Sequence, residues 1–148
     1  MPTLFLICGL PGSGKTTAGL ALERDHNAVR LAPDEWMARI VGDGWDNERR
    51  EQVEKVQWVL AERLLTLGLN VVLENGFWRR MERQAYRARA SELGADSKLI
   101  YCDVTRDELK RRLVARNADL PPDTFVVTPQ QLDEMWPHFE PPSENELR

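Results

Sequence analysis

The sequence predicts an α/β fold in which a parallel β-sheet is covered by helices on both faces. Short apolar runs alternate with longer segments of helical periodicity, and a glycine-rich loop joins the first apolar run to the first helix. Strands and helices that alternate in this way build βαβ units, whose strands lie parallel to one another. We count four strands on this criterion. A fifth strand would have to come from the tail HFEPPSENELR, whose proline-bearing sequence is not typical of a strand.

The predicted elements follow one another along the whole chain. The predicted strands are residues 3–8, 28–32, 70–74 and 98–104. The predicted helices are residues 15–24, a short helix that begins at Asp34, then residues 47–67, 80–93 and 105–117, and a last helix that begins at Thr128. The cluster GDGWD is predicted to be a loop, because glycine and aspartate favour turns.

Local signals support three of these helices. Between residues 47 and 67 apolar side chains recur at helical spacing, and Gly68 follows where a helix end favours glycine. The apolar residues of this segment are Val53, Val56, Leu60, Leu64 and Leu67. Thr105 and Thr128 each stand three residues before a Glu or Gln, which is the pattern of a capping box.

Length and composition limit the class of protein. A chain of 148 residues fits one domain, which can bury a core without disulfides or metals. The net charge of −4 argues against a broad basic surface that coats nucleic acid. Cys8 and Cys102 lie in apolar runs and are predicted to be core residues, which suits a reducing cytoplasm. No run approaches 18 apolar residues, so we predict a single cytoplasmic domain over residues 1–148 with no membrane partner.

The segment GLPGSGKT, residues 9–16, fills the pattern G-x-x-x-x-G-K-[ST] at every fixed position. Its glycines let backbone amides turn toward phosphate oxygens, and the following helix adds its positive end. Lys15 can reach the β and γ phosphates, and the Thr16 hydroxyl can bind Mg²⁺. The predicted nucleotide-binding residues are Gly9, Pro11, Gly12, Ser13, Gly14, Lys15, Thr16 and Thr17. A chance match is disfavoured, because the loop lies between a predicted strand and a predicted helix.

A loop of this kind serves GTPase switches, ATP-driven machines and small kinases. The sequence contains neither D-x-x-G nor N-K-x-D after the loop, so the switch signatures of a GTPase are missing. A chain of this length leaves little room for the sensor elements and subunit contacts of a motor. A small kinase with the P-loop NTPase fold is therefore favoured.

Acidic residues lie at or just beyond the carboxyl ends of three predicted strands, at the edge of the sheet where ligands bind. Asp34 follows the second strand and is the candidate general base for an attacking hydroxyl, with helix N-capping as its structural alternative. Glu74 ends the third strand and is the candidate Mg²⁺ ligand, with structural hydrogen bonding as its alternative. Asp103 near the end of the fourth strand is predicted to be a turn or capping residue.

Two groups of arginines are candidates for binding anions. Arg112 and Arg116 lie four residues apart on one helix, so both can close over a triphosphate and neutralise charge during transfer. Arg80, Arg83 and Arg87 share a face of the preceding helix and can bind an anionic or aromatic acceptor. The alternative for both groups is an ordinary solvated helix face.

These features together resemble the small P-loop kinases, which include polynucleotide 5′-hydroxyl kinases, chloramphenicol phosphotransferase and zeta toxin. The resemblance rests on GLPGSGKTT, an Asp after the second strand, LLTLG before NVVLENGFW, and R-x-x-x-R after the fourth strand. It implies transfer of the γ phosphate of ATP, with Mg²⁺, to a hydroxyl. It also implies that Asp34 is the general base, that Lys15 and Thr16 contact phosphate and Mg²⁺, and that Arg112 and Arg116 belong to a helical lid at about residues 105–130.

The sequence departs from this pattern at two places. Polynucleotide kinases of this group carry an Arg three residues after the catalytic Asp, whereas this chain has Met37 there and its nearest Arg is Arg39. This departure argues against a nucleic-acid acceptor. The fifth strand and its adenine loop are also missing, so base contacts are expected from Phe139, Pro141 or the lid.

Three functions remain open at this stage. The leading hypothesis is a kinase whose partners are a nucleotide and a small molecule that carries a hydroxyl, with transfer to a nucleotide sugar as a variant. A 5′-hydroxyl polynucleotide kinase is the alternative, motivated by the arginines of residues 79–87. A non-catalytic ATP-binding regulatory module is the third, and its interface would use some of the tryptophans Trp36, Trp45, Trp58, Trp78 and Trp136. The sequence predicts neither the acceptor nor the oligomeric state.

Overall fold

The computed structural model describes residues Met1–Arg148 and contains one sheet of four parallel strands in the order β2-β3-β1-β4. The strands are β1 Thr3–Cys8, β2 Ala28–Leu31, β3 Asn70–Gly76 and β4 Asp96–Tyr101. Leu4 of β1 pairs with Val71 of β3 on one side and with Ser97 of β4 on the other. The predicted fold class is thus confirmed with four strands. The tail forms no fifth strand, so β4 remains an edge.

Six α-helices surround the sheet. They are α1 Lys15–Asp25, α2 Pro33–Trp36, α3 Asn47–Thr66, α4 Arg80–Glu92, α5 Arg106–Ala118 and α6 Pro129–Met135. A π-helical turn, Met37–Val41, extends α2, and the tail contains the short 3₁₀ turns Trp136–His138 and Glu144–Leu147. The predicted strand at residues 98–104 is displaced, because the structure begins it at Asp96 and ends it at Tyr101. None of the helices combines the length and apolar content that crossing a bilayer requires.

Helices cover both faces of the sheet, as predicted. On one face, Ala61 and Leu65 of α3 and Ala90 of α4 belong to the same buried cluster as Leu4 and Leu6 of β1. The opposite face of the sheet is covered by α1. There the buried residues Phe5, Ile7 and Val72 pack against the partly buried Ala18 and Leu22. Alternate residues of β1 therefore supply two separate cores, which is the periodicity of a strand buried on both sides.

A third apolar cluster attaches α5 and α6 to the glycine-rich loop. Leu109 and Leu113 of α5, Val127 and Leu132 are buried together with Leu10 of the loop. Both ends of the segment that links α5 to α6 are therefore anchored in one buried cluster. This arrangement suits a lid whose tip alone crosses the site.

Three local predictions need correction. In α3 the buried residues are Gln57, Ala61 and Leu65, whereas Val56 and Leu67 of the predicted apolar face are 58% and 75% exposed. Leu60 and Leu64 of the predicted face are partly buried against the same core, so the buried face is rotated from the predicted one and is not opposite to it.

The helix caps and the short helix differ in smaller ways. The capping box at Thr128 is complete, but at Thr105 only the hydroxyl takes part, because the Glu108 carboxylate turns to Arg111 and Arg112. The short helix α2 begins at Pro33, one residue before its predicted start.

Candidate functional site

The loop between β1 and α1 is shaped by its glycines. Gly12 and Gly14 have φ angles of 84° and 97°, a region that side-chain-bearing residues rarely adopt. A Cβ on Gly9 would lie 2.4 Å from Ser13 Oγ, so this position also requires glycine. The Gly9 amide donates to the carbonyl of Gly76 in β3, 2.9 Å away, which ties the loop to the sheet.

The donor groups of this loop fit a polyphosphate. Ser13 Oγ is buried and has no hydrogen-bond partner. The N-terminus of α1 has neither a side-chain cap nor an acidic residue in its first turn, so its positive end is uncompensated. Thr16 and Thr17 are exposed in that same turn. An orphaned hydroxyl, a glycine cradle and a free helix N-terminus together provide the surroundings that an anionic phosphate chain needs.

Lys15 lies at the centre of the site's electrostatics. Its Nζ donates to the Gly9 carbonyl at 3.2 Å. Burial lowers the pKa of Lys15, and the negative charge of Asp34 partly opposes that effect. An ammonium that is desolvated but poorly paired gains most when an anion binds beside it.

Asp34 lies in the first turn of α2, directly beyond β2. Its carboxylate Oδ1 is 2.7 Å from Arg50 Nη2, and its side chain is 55% exposed. The alternative role as N-cap is not realised, because Ala32 is the N-cap residue of α2 and has no side-chain cap. Asp34 is therefore oriented by a residue of α3 and is still accessible to a ligand.

The two predicted lid arginines differ in environment. Arg112 Nε binds Glu108 at 3.0 Å, and its Nη1 is 3.5 Å from the Gly12 carbonyl of the phosphate-binding loop. Arg116 donates from Nη2 to the Phe125 carbonyl at 3.1 Å, while its Nε is buried without a partner. Burial lowers the pKa of Arg116, and the charge of Asp34 raises it. Asp34, Lys15 and Arg116 thus lie close enough for their charges to interact.

The segment between α5 and α6, the tip of the predicted lid, contacts the segment that follows α2. The Phe125 ring packs so closely on Gly44 that a Cβ at that position would be 2.2 Å from Phe125 Cδ2. Arg39 Nη2 lies 2.9 Å from Asp123 Oδ2, which joins the same two segments by an ion pair. The loop after α2 and the tip of the predicted lid therefore meet at Gly44, whose carbonyl accepts from the same Arg50 that binds Asp34.

Glu74, the predicted Mg²⁺ ligand, has both carboxylate oxygens bound to Arg30 of β2, which also binds Glu35. Burial raises the pKa of Glu74 and the Arg30 guanidinium lowers it. A metal contact by Glu74 would have to displace this ion pair. No group of three or more Asp, Glu, His and Cys side chains is arranged to hold a metal ion.

Two of the three arginines on the predicted basic face of α4 are used inside the protein, whereas Arg80 is exposed. Arg83 is fully buried and donates to the Phe77 and Glu140 carbonyls and to the Glu146 carboxylate. Arg87 donates to Ser97 and to the Glu146 carbonyl. These arginines hold the tail against the sheet, so they are not free to bind an acceptor.

Sequence reasoning missed several residues of the site. Arg50, which orients Asp34, and Gly44, which receives Phe125, have no motif that marks them. They come together only through the crossing of α3 and the lid.

A cavity of about 590 Å³ lies beside the loop, at the end of β4. Leu10, Tyr101, Trp136, Phe139 and Pro141 supply much of its apolar lining, and Asp103 and Arg106 contribute polar groups. Phe139 and Pro141 are two of the residues from which base contacts were predicted.

Comparison with known proteins agrees with this architecture. A structure described as that of a candidate kinase from Chloroflexus aurantiacus J-10-fl has a TM-score of 0.75 at 20% identity, over 96% of this chain and 82% of that chain. A chain of the Pnkp1/Rnl/Hen1 complex has a TM-score of 0.66 at 26% identity, over 75% of this chain and 38% of its own.

A third structure is the APS kinase of Mycobacterium tuberculosis in complex with AMPPNP and APS. It has a TM-score of 0.56 at 20% identity, over 93% of this chain and 96% of that one. No curated protein matches the sequence. The fold is that of the P-loop kinases. The family model described as AAA domain matches residues 4–142, and the chain belongs to that family.

Proposed function

We propose that residues 1–148 act as one kinase domain that transfers the γ phosphate of ATP to a hydroxyl of a small-molecule acceptor. One observation carries this proposal. An accessible carboxylate, Asp34, is held by Arg50 in the same cleft as Lys15 and Arg116. Phosphoryl transfer needs little more from a protein than a positioned proton acceptor and fixed positive charge around the phosphate.

The roles of the residues follow from their positions. Asp34 accepts the proton of the acceptor hydroxyl as its oxygen bonds to the γ phosphorus and the bond to the β,γ-bridging oxygen breaks, which releases ADP. Lys15, the amides of residues 9–14 and the Ser13 hydroxyl hold the phosphates. Arg116 presents an unpartnered Nε from the lid. Arg112 reaches the rim of the loop.

Thr16 is the residue that would hold Mg²⁺, because its hydroxyl is exposed in the first turn of α1. Bound Mg²⁺ would neutralise charge on the phosphate oxygens. Glu74 would not contact the ion directly, since Arg30 occupies both of its oxygens and balances its charge. The base of the nucleotide is proposed to enter the cavity beside Leu10, between Phe139 and the start of α5.

A small acceptor is favoured over a polynucleotide. Met37 is fully buried, so it leaves no group at the position where a phosphate-gripping Arg would stand. Arg83 and Arg87 are bound to the tail. We also propose a cytoplasmic location, because ATP and hydroxylated metabolites are available there.

The test is transfer of labelled γ phosphate from Mg²⁺·ATP to pooled acceptors, with the wild type beside Asp34→Asn. The pools are amine-bearing and neutral hydroxylated metabolites, nucleosides and nucleotide sugars, and oligonucleotides with free 5′ hydroxyls. Label that enters a small-molecule pool and is lost in the variant supports the proposal. Transfer confined to oligonucleotides would indicate a polynucleotide kinase and contradict a small-molecule acceptor. ATP binding without any transfer would favour a regulatory module.

A further inference from the structure

The acceptor side of the cleft contains two carboxylates placed side by side by the packing of α3 on α4. Both helices run away from the carboxyl edge of the sheet. The ring centroids of Trp58 on α3 and Tyr86 on α4 are 4.5 Å apart. About one turn further toward the C-termini of the two helices, Arg89 Nε lies 3.0 Å from Glu62 Oε1. Residues four apart lie one turn apart on a helix. One turn above Trp58 and Tyr86, the same register therefore pairs Glu54 with Glu82.

Neither of these two carboxylates has a partner. Both are half-buried, and neither forms an ion pair or a hydrogen bond in the structure. Burial, and next the charge of Glu82, raise the pKa of Glu54 to about 7. Burial likewise raises the pKa of Glu82. Two desolvated carboxylates that lie close together repel one another. A cation bound between them would relieve this repulsion.

The neighbouring arginines do not neutralise the pair. Arg50, one turn above Glu54, is bound to Asp34, and Arg83, next to Glu82, is bound to Glu146. Arg79 is the remaining cation that acts on Glu82, and it is exposed. The negative charge of the pair thus remains available to a ligand.

Two buried polar side chains near this pair in the fold also lack hydrogen-bond partners. Gln57, three residues after Glu54 on α3, is fully buried, and neither its amide oxygen nor its amide nitrogen has a partner. Asn75 Oδ1, beside Tyr86 at the end of β3, is also buried and unpartnered. The pairing of β3 with β1 is irregular between Leu73 and Gly76, the part of the strand that contains Asn75.

Resting on the proposed function, we propose that Glu54 and Glu82 bind a protonated amine of the acceptor, whose hydroxyl is presented to Asp34. The substrate class is then an amine that carries hydroxyls, such as an amino alcohol or an amino sugar. Arg50 connects the two subsites, because it binds Asp34 and lies one helical turn from Glu54. An organic cation fits better than a metal ion, since no group of three or more metal-ligating side chains is present. An acceptor bearing a phosphate would be repelled.

The experiment measures binding by calorimetry and does not depend on phosphate transfer. The probes are ethanolamine, glucosamine and a 2-deoxystreptamine aminoglycoside, each compared with its N-acetylated form, with and without Mg²⁺·AMPPNP. The proteins are the wild type, the double variant Glu54→Gln with Glu82→Gln, and Glu48→Gln as a control on the exposed face of α3. The double variant should fold, because it removes unpaired charge from a half-buried place.

We expect at least one amine to bind about tenfold or more tightly than its acetylated form in the wild type and in the control. The double variant should lose this preference. Equal binding within every pair, or a preference that survives in the double variant, would overturn the amine site. Transfer to neutral acceptors without any amine preference would leave the kinase standing and remove the amine site. An amine preference in a protein that transfers no phosphate would support the amine site and contradict the proposed kinase activity.

Discussion

Arg50 Nη2 lies 2.7 Å from Asp34 Oδ1 and 3.0 Å from the Gly44 carbonyl. One guanidinium group of α3 therefore fixes both the carboxylate that follows β2 and the loop on which the lid rests. The position of the proposed base is set by α3 and the lid platform, as well as by its own helix.

Replacing Asp34 by Asn should lower the rate of phosphate transfer by about 10²–10⁴-fold, because general-base catalysis is lost while the shape is kept. Nucleotide affinity should change little. Labelled transfer and AMPPNP calorimetry measure the two effects. Asp43→Asn, in the exposed loop before α3, is the matched control. A variant at Asp34 with the wild-type rate would show that another group takes the proton.

Replacing Arg116 by Ala should lower kcat by about 10³–10⁵-fold, the range found when a charge-neutralising arginine is removed. The control is Arg111→Ala, whose side chain is 78% exposed and should leave kcat unchanged. Arg116→Lys should recover little, because an ammonium cannot reproduce the forked guanidinium. Steady-state kinetics of the three variants separate this role from a loss of folding, which circular dichroism would detect. Equal kcat in the Arg116 and Arg111 variants would contradict the proposed role of Arg116.

Replacing Lys15 by Met should abolish stabilisation by nucleotide without lowering the stability of the free protein. Since folding lowers the pKa of Lys15, its charged form costs stability below the folded pKa, and this cost disappears above the unfolded value. The variant should therefore unfold at an equal or higher denaturant concentration at pH 7. Wild-type protein should gain about 2.7 kcal/mol at a nucleotide concentration of 100 Kd, and the variant almost nothing. A variant that is markedly less stable without nucleotide would contradict the prediction.

Replacing Gly44 by Ala should open the lid. The added Cβ would lie 2.2 Å from the Phe125 ring, and overpacking of this kind costs about 1–3 kcal/mol. We expect kcat/KM for the acceptor to fall about tenfold or more. Phe125→Ala in the same chain should restore part of it, because the clash is removed. A double-mutant cycle in which the two effects simply add would show that the residues do not meet during turnover.

The ion pair between Arg83 and Glu146 should make stability depend on pH below neutrality. The pKa of Glu146 falls from 4.5 to about 2, chiefly through its bonds to Arg83. A carboxylate with a lowered folded pKa stabilises the protein above its unfolded pKa, and this contribution is lost as the pH falls toward the folded value. The side chain of Glu146 is only 9% exposed, so the effect should be on the order of 3 kcal/mol.

Urea unfolding at pH 7 and at pH 3 tests this expectation, with Glu146→Gln and the exposed Glu144→Gln as a matched pair. Glu146→Gln should be the less stable of the two at pH 7 and should lose less stability on acidification. Identical pH profiles for the two variants would mean that the ion pair between Arg83 and Glu146 does not contribute to stability.

The phosphate-binding loop and the four parallel strands are local features, and local sequence is sufficient to predict them. The pattern of residues 9–16 specifies its own backbone, because each glycine is needed where φ is positive or where a side chain would collide. Period-two apolar runs specify the strands, and the βαβ order makes them parallel. The position of Asp34 was predictable for the same reason, since a residue directly after β2 comes to the carboxyl edge of the sheet.

The tertiary structure alone decided what each charged side chain contacts. Arg83 and Glu146 are 63 residues apart, and Arg30 and Glu74 are 44 apart, so no local pattern distinguishes these buried pairs from solvated faces. Likewise Glu54 and Glu82 become neighbours only because Trp58 packs on Tyr86. The sequence by itself determined the conformation of the glycine-rich loop and the placement of Asp34 at the carboxyl edge of the sheet. Long-range packing decided which arginines are free and which acids lack a partner, because the surroundings of a charged side chain come from residues that are distant in the sequence.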